Sequence, residues 1–271
     1  MSVRVVSAVR LVQQRSIVVL IGLLVALAGL IEIIRPGAVN ASWVSNILEF
    51  AAPLGILAAG QTLVVITGGI DLSVANVATA AAYIMASQAP YGVTRAIVAG
   101  LLVAAVIHAL GSGTVLGYVP VSLFLWAPLA VLLILGLRGT GFGRLLYALG
   151  DNLEATRLAG VRAWQVLLAN YAACGLLSAV AGLVLSGTVN AADLSLATVL
   201  LLPSVAAVVI GGTSIFGGSG SYSGTIVGAL ILTVLNSVLT LLDVPDAVKQ
   251  VLYGAIIVIL ASAYTRVLGH D

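Results

Sequence analysis

The chain has 271 residues, of which 61% are hydrophobic and only 7% are charged, and its formal net charge is +2. A typical soluble domain is about a quarter charged. With 11 basic and 9 acidic residues, the chain cannot cover the surface of a soluble protein of this length, so the composition predicts that most of the surface faces lipid. The small net charge and the lack of a long basic run give no indication of a nucleic-acid partner.

Apolar segments approaching the length of a membrane span recur along the whole chain. A spanning helix needs about 20 mostly apolar residues. Turns with glycine or proline separate nine candidates, at 16–34, 44–67, 73–90, 94–111, 119–137, 163–186, 197–212, 222–242 and 247–266. We therefore predict an all-α, polytopic membrane helix bundle that forms one domain over residues 1–271.

The first apolar segment follows three arginines, Arg4, Arg10 and Arg15. This arrangement resembles a secretory signal peptide. However, the apolar run 16–34 is longer than a usual signal core, and no small-residue cleavage site ends it. We interpret it as the first spanning helix with its N-terminus in the cytoplasm, because basic residues accumulate on that side of a membrane.

The longest polar stretch, residues 138–162, contains four arginines: Arg138, Arg144, Arg157 and Arg162. This content predicts a cytoplasmic loop. Within it, Asp151 or Asn152 is placed to cap a short helix that Gly160 ends, and Glu154 lies in the first turn, where the helix dipole favours an anion. Such a helix suits docking to a soluble partner or contact with lipid headgroups, and the composition favours neither.

Arginine placement and the number of spans disagree in the first half of the chain. Five candidate spans separate the N-terminus from the 138–162 loop, so the two would lie on opposite sides although both are rich in arginine. Either one candidate is re-entrant, or the chain lacks a span that its architecture normally has. From the loop onward, four spans return the C-terminus, with Arg266, to the cytoplasm.

The first glycine-containing break is TGGIDLS, residues 67–73. Gly68 and Gly69 permit a sharp turn, and Asp71 and Ser73 can cap the helix that follows. An ionisable group near membrane depth is costly unless it is paired or hydrated. Asp71 is therefore either a functional residue or a helix cap at an aqueous boundary.

The second break, residues 211–224, begins with Gly211 and Gly212. It lacks the G-K-[ST] ending of a phosphate-binding loop, and Lys249 is the only lysine in the chain, so we do not expect this chain to hydrolyse ATP by itself. The stretch that leads into this break, VVIGG at 208–212, resembles VVITGG at 64–69. The two are either paired broken helices beside a transport pathway or unrelated helix ends. A small-residue pair, Gly224 and Gly228, predicts close helix approach.

Residue types that could form a catalytic or metal-binding set are scattered. His108, Glu32, Glu49 and Asp193 each stand alone, and we interpret the Asp243–Asp246 stretch as an ordinary turn. Cys174 lies in an apolar run and is interpreted as a packing residue. We predict no catalytic set, no metal site and no cofactor.

Three stretches, at 51–73, 143–161 and 206–232, resemble permease subunits of bacterial sugar ABC importers of the ribose, xylose and galactose type. The resemblance implies an inner-membrane subunit, usually of about ten spans, that imports a monosaccharide or similar small polar solute. Its implied partners are a cytoplasmic ABC ATPase, a second permease subunit, identical or different, and a periplasmic or lipid-anchored solute-binding protein.

The resemblance also assigns roles to the two breaks and to the 138–162 loop. The loop becomes the coupling segment, with six residues on or near the ATPase-docking surface: Arg144, Tyr147, Asn152, Glu154, Arg157 and Gly160. The residues that would shape broken helices beside the pathway are Gly68, Gly69, Asp71, Ser73, Gly211 and Gly212.

The sequence departs from the family pattern between Leu110 and Tyr118, where a further span is not recognisable. This departure agrees with the conflict between arginine placement and span number. It leaves open a divergent permease that does not transport or that acts only in a heterodimer. A secondary transporter or channel acting alone is the other alternative, and it would need a denser set of ionisable groups in the membrane.

Overall fold

The computed structural model describes residues 16–88, 114–115, 118–189, 191 and 194–268. The helices are α1 (Ser16–Ile34), α2 (Ala41–Ile66), α3 (Val74–Gln88), α4 (Val121–Gly139), α5 (Gly141–Asp151), α6 (Leu153–Leu158), α7 (Ala163–Val189), α8 (Leu201–Ile210), α9 (Tyr222–Leu241) and α10 (Asp246–Leu268). A 3₁₀ turn, Thr198–Leu200, precedes α8. Strands β1 (Thr114–Val115) and β2 (Val119–Pro120) form a short antiparallel pair ahead of α4.

The described part of the chain confirms the predicted helical membrane bundle. Five of its helices, α1, α2, α4, α7 and α9, are long and apolar enough to cross a membrane. Every predicted segment except 94–111 matches a helix whose ends differ by no more than three residues from the prediction, if the 3₁₀ turn is counted with α8. The segment 94–111 and the three N-terminal arginines lie outside the described residues.

Helix α2 occupies the centre of the bundle, and all its residues from Ala51 to Ile66 are buried. It packs against α4, α7, α8 and α9. Helix α7 runs antiparallel to it, because Asn170 donates a hydrogen bond to the Leu63 carbonyl at 3.0 Å while Cys174, one turn later, lies against Gly60, one turn earlier.

A buried aromatic pair joins α2 to α4 and α9. The indole nitrogen of Trp126 donates to the Tyr222 hydroxyl at 2.9 Å, and that hydroxyl donates to the Gly55 carbonyl at 2.9 Å. The Trp126 ring fills the space in which a side chain at Gly55 would lie. Polar atoms inside a membrane bundle need such partners, so these bonds fix three helices relative to one another.

The predicted close approach at Gly224 and Gly228 is confirmed. A Cβ atom at Gly224 would overlap the Gly211 carbonyl oxygen, and one at Gly228 would overlap the Ala207 carbonyl oxygen. Helices α8 and α9 therefore meet backbone to backbone, as small residues permit.

Helices α3 and α7 meet at a similar glycine. A Cβ atom at Gly182 would overlap the carbonyl oxygen of Ala78, which lies only four residues after the start of α3. Because Gly182 is 12 residues beyond Asn170 on α7, this contact lies about 18 Å from the level of Asn170. The start of α3 is buried, with Val74 at 0% exposure, so α3 begins inside the bundle.

We predict that Gly182→Ala lowers stability and that Gly175→Ala, on the same helix, does not. The added methyl group at 182 meets the backbone of α3, whereas nothing lies within 4 Å of a Cβ atom at 175. Overpacking of this kind costs about 1–3 kcal/mol. Thermal unfolding of the purified protein in detergent should show a lower midpoint for the first variant alone, and equal midpoints would contradict the packing described.

Candidate functional site

The segment between Arg138 and Arg162, predicted as a loop with one short helix, contains two helices. Thr140 caps α5 by accepting a hydrogen bond from the Gly143 amide at 3.1 Å. Asn152, not Asp151, caps α6 by accepting from the Ala155 amide at 2.9 Å. The Thr156 hydroxyl donates to the Ala148 carbonyl at 2.9 Å, so α6 is tied back onto α5. We call residues 141–160 the coupling segment.

The outer surface of the coupling segment carries both charged and apolar side chains. Arg144, Glu154 and Arg157 are exposed, as predicted for a docking surface. Leu158 is 85% exposed among them. Gly160, with φ +85°, ends α6 in the left-handed conformation that favours glycine.

Tyr147, grouped with the docking residues by the resemblance, is directed into the protein. Its ring is half-buried, and its hydroxyl donates to the Gly220 carbonyl at 3.0 Å. Burial raises the pKa of this phenol, and the charge of Arg138 opposes the shift only in part. The hydroxyl therefore keeps its proton at physiological pH and continues to donate to the loop that precedes α9.

Backbone contacts connect the coupling segment to the end of α2. A Cβ atom at Gly150 would overlap the Ile66 carbonyl oxygen and would lie 2.5 Å from the Gly218 amide nitrogen. The Gly218 amide itself donates to the Ile66 carbonyl at 2.9 Å. A Cβ atom at Gly217 would lie 2.8 Å from the Gly150 carbonyl oxygen and 2.9 Å from the Gly68 nitrogen. We call this meeting of Ile66, Gly68, Gly150, Gly217 and Gly218 the glycine junction.

The chain turns back along α2 immediately after the glycine junction. Gly68 has φ +79°, and the Asp71 amide and carbonyl both bond to the side chain of Gln61, at 3.3 and 2.5 Å. Asp71 therefore lies level with Gln61, about 7.5 Å inside the end of α2 at 1.5 Å per residue. We call residues 67–73 the broken segment, because the chain is not helical here although it lies within a bundle of helices.

Asp71 and Ser73 stabilise the turn from the broken segment into α3. One carboxylate oxygen of Asp71 accepts from the Ser73 amide at 2.8 Å and from the Ser73 hydroxyl at 2.6 Å. The carboxylate thus organises the entry to α3, as a helix cap does. These contacts are those of the helix cap in the second interpretation given above, and a functional role of Asp71 stays a prediction.

Helices α2 and α8, which lead into the two breaks, end in the same backbone geometry. The Gly69 amide donates to the Val64 carbonyl at 3.2 Å, and the Thr213 amide donates to the Val208 carbonyl at 3.1 Å. In each case the preceding residue is a left-handed glycine, Gly68 at φ +79° or Gly212 at φ +85°. This is the six-to-one closure of a Schellman motif. The VVITGG and VVIGG stretches are therefore equivalent helix ends, and the second loop lies against the first, with the Phe216 carbonyl 3.4 Å from a Cβ atom at Gly68.

The sequence analysis missed two polar stripes near the turn between α9 and α10. Each follows the i, i+3, i+4, i+7 spacing of one helix face. On α9 the stripe is Thr233, Asn236, Ser237 and Thr240, and on α10 it is Asp246, Lys249, Gln250 and Tyr253. The turn interpretation of Asp246 is wrong, because Asp246 begins α10 and pairs with Lys249 at 2.9 Å. Asp243, with φ +53°, does lie in the turn.

Within the described ranges, no group of three or more histidine, cysteine, aspartate or glutamate side chains could hold a metal ion.

Comparison with known proteins gives one family. The family model for the permease component of branched-chain amino acid transport systems matches residues 108–261. The chain is 30% identical to the ribose import permease of Haemophilus influenzae, over 96% of this chain and 94% of the relative. It is 32% identical to the ribose import permease of Escherichia coli, over 93% and 92%. It is 42% identical to the xylose transport system permease of E. coli over 120 residues, 44% of this chain and 30% of the relative. No solved structure matches.

The lengths of these alignments show that the chain is shorter than its ribose-permease relatives in its interior. The two ribose-permease alignments extend over 311 and 302 residues, yet they include 96% and 93% of the 271 residues here, or about 260 and 252. About 50 positions in each therefore have no counterpart in this chain. Their location between Leu110 and Tyr118 stays a prediction. The family match and the nearly full-length relatives confirm the resemblance drawn from the three stretches, and the chain belongs to the family of multi-pass ABC transporter permeases that includes the ribose import permeases.

Proposed function

We propose that this chain is the membrane-spanning permease subunit of an ATP-driven importer for a monosaccharide or a similar small polar solute. Its relatives are named for ribose and xylose. The observation that best supports coupling to an ATPase is the glycine junction, where the coupling segment contacts the end of α2 without an intervening side chain. The chain does no covalent chemistry, and a partner supplies the ATP hydrolysis.

The glycine junction provides a route from the coupling segment to the broken segment. A partner that binds α5 and α6 and shifts them also shifts Gly150. Because Gly150 lies directly against Ile66 and Gly218, the end of α2 and the loop before α9 must move with it or lose their packing. Gly68 and the broken segment follow immediately in the chain. ATP binding at the partner would then bias the permease between inward-open and outward-open states.

The arginines in and beside the coupling segment support a cytoplasmic location for it. Helix α2 ends at this segment and α9 begins beside it, so the α1–α2 turn and the α9–α10 turn lie at the opposite, outer end. On this topology both termini are cytoplasmic and the protein lies in the inner membrane. The partners that we propose are a cytoplasmic ABC ATPase, a second permease subunit, identical or divergent, and a periplasmic or lipid-anchored solute-binding protein.

We predict that the charge reversals Arg144→Glu and Arg157→Glu each weaken binding of the ATPase by about tenfold, equivalent to about 1.4 kcal/mol. Both side chains are exposed on the coupling segment, so the reversals should leave the fold intact. Affinity of the purified permease for its ATPase in detergent measures the effect.

Arg35→Glu is the matched control, because Arg35 is exposed next to α1 at the outer end, about the length of α2 away. The control should bind the ATPase like the wild type. Unchanged binding by both coupling-segment variants would contradict the docking assignment.

We also predict that Gly150→Ala separates ATPase binding from transport. The added methyl group meets the Ile66 carbonyl and the Gly218 amide, so it displaces the glycine junction while the docking side chains stay exposed. ATP-dependent solute uptake in proteoliposomes should fall about tenfold or more, with the ATPase still bound. Gly139→Ala, where nothing lies within 4 Å of the new Cβ atom, should transport normally. Normal uptake by Gly150→Ala would contradict transmission through this junction.

A further inference from the structure

Thr233 and Asn236 of the α9 stripe face the whole α10 stripe across a cavity of about 240 Å³. Helices α2, α7 and α8 and the 3₁₀ turn complete its wall, with Phe50, Leu54 and Pro203 among the apolar lining. Each stripe covers eight residues next to the α9–α10 turn, and the α10 stripe, which lines the cavity throughout, extends about 10 Å inward from the outer end of the bundle. We call this cavity the outer cleft.

Hydrogen bonds between the stripes hold the outer cleft in shape. The Lys249 ammonium donates to the Thr240 hydroxyl at 3.0 Å, and the Tyr253 hydroxyl donates to the Asn236 side-chain oxygen at 3.4 Å. The Gln250 amide donates to the Val199 carbonyl at 3.2 Å, which connects α10 to the 3₁₀ turn. A polar interior in a membrane bundle is costly, and groups of this kind mark solute or ion pathways.

The charges in the outer cleft cancel within it. Lys249 is only 8% exposed and pairs with the Asp246 carboxylate, whose side chain is 86% exposed and so opens toward solvent. A solute in the outer cleft therefore meets no unpaired charge from this pair. The remaining polar groups are hydroxyls and amides, which offer both donors and acceptors.

We infer that the outer cleft is a binding site for a neutral polyhydroxylated solute, in the half of the permease farthest from the coupling segment. Hydroxyl groups of the solute both donate and accept, which matches the side chains of Asn236, Gln250 and Thr233. Phe50 and Tyr253 offer ring surfaces for the C–H faces of such a solute. A volume of about 240 Å³ is just below the range of about 300–1,000 Å³ usual for drug-sized ligands, which suits a smaller molecule.

The same lining argues against an aliphatic amino acid, the solute class in the name of the matching family model. A zwitterion needs a cation for its carboxylate and an anion for its ammonium group, and here Lys249 and Asp246 already satisfy each other. A branched aliphatic side chain would also form no hydrogen bond with the side-chain amides of Asn236 and Gln250, whereas a hydroxyl group can bond to both. The inference rests on the proposed import function and adds the location and the chemistry of a solute site.

Equilibrium binding to the purified full-length chain in detergent tests the inference without requiring transport. The probes are radiolabelled D-ribose, D-xylose, D-glucose and D-galactose, with L-leucine as the amino-acid probe. We expect at least one sugar to bind, and Asn236→Leu and Gln250→Met to weaken it about five- to tenfold each. Gln165→Met, at an exposed position of α7 near the coupling segment, should leave binding unchanged.

The possible results separate the outer cleft from the proposed function. Weaker sugar binding by the cleft variants, with the ATPase still bound, supports the site. Sugar binding that both variants retain in full, tighter binding of L-leucine than of any sugar, or no binding of any sugar by the wild type would overturn it. Normal sugar binding in a chain that never associates with an ATPase would contradict the importer proposal, but it would not contradict the inferred solute site in the outer cleft.

Discussion

Helix α2 ends inside the protein, and its last carbonyl groups must find donors there. The last four carbonyls of any helix lack partners within the helix, and inside a membrane bundle water does not supply them. The donors are the Asn170 side chain for Leu63, the Thr67 and Gly69 amides for Val64, the Gly68 amide for Val65 and the Gly218 amide for Ile66. One helix end thus ties α7, the broken segment and the loop before α9 together.

This requirement explains the glycines around the helix end. The Gly218 amide reaches the Ile66 carbonyl only because the chain is left-handed at Gly217 and Gly218, with φ +89° and +72°. Helix α5 comes equally close only because Gly150 has no side chain. The same contacts that satisfy the buried backbone therefore bring the coupling segment against the broken segment. Stability and mechanical connection have one physical origin here, and a larger residue at any of these positions disturbs both.

The helices were predictable from the sequence because long apolar runs with glycine-rich ends leave little choice inside a membrane. Helix α5 was not, because the polar, arginine-rich stretch 138–162 was interpreted as a loop. The Thr140 cap and the burial of Leu146 and Leu149 make it helical. Contacts such as Gly68 with Gly217 lie far apart in the chain and carry no local signal. The sequence contains the regular spacing of the polar residues in both stripes. It does not show that α9 and α10 pack beside a common cavity, and only that packing makes the stripes a candidate site.

The shortened interior can be reconciled with an intact site. Asp71 lies beside Gln61, whereas Ala78 contacts Gly182, so α3 runs away from the coupling segment. Helix α4 runs toward it, since Thr140 follows directly. The connection from α3 to α4 therefore starts and ends on the side of the bundle opposite the coupling segment, which requires an even number of crossings. The predicted span 94–111 would supply only one, and the roughly 50 positions that the ribose permeases have in addition would be long enough for a second. The glycine junction, the coupling segment and the outer cleft are built entirely from residues outside that connection, so the shortening predicted there would remove none of their parts.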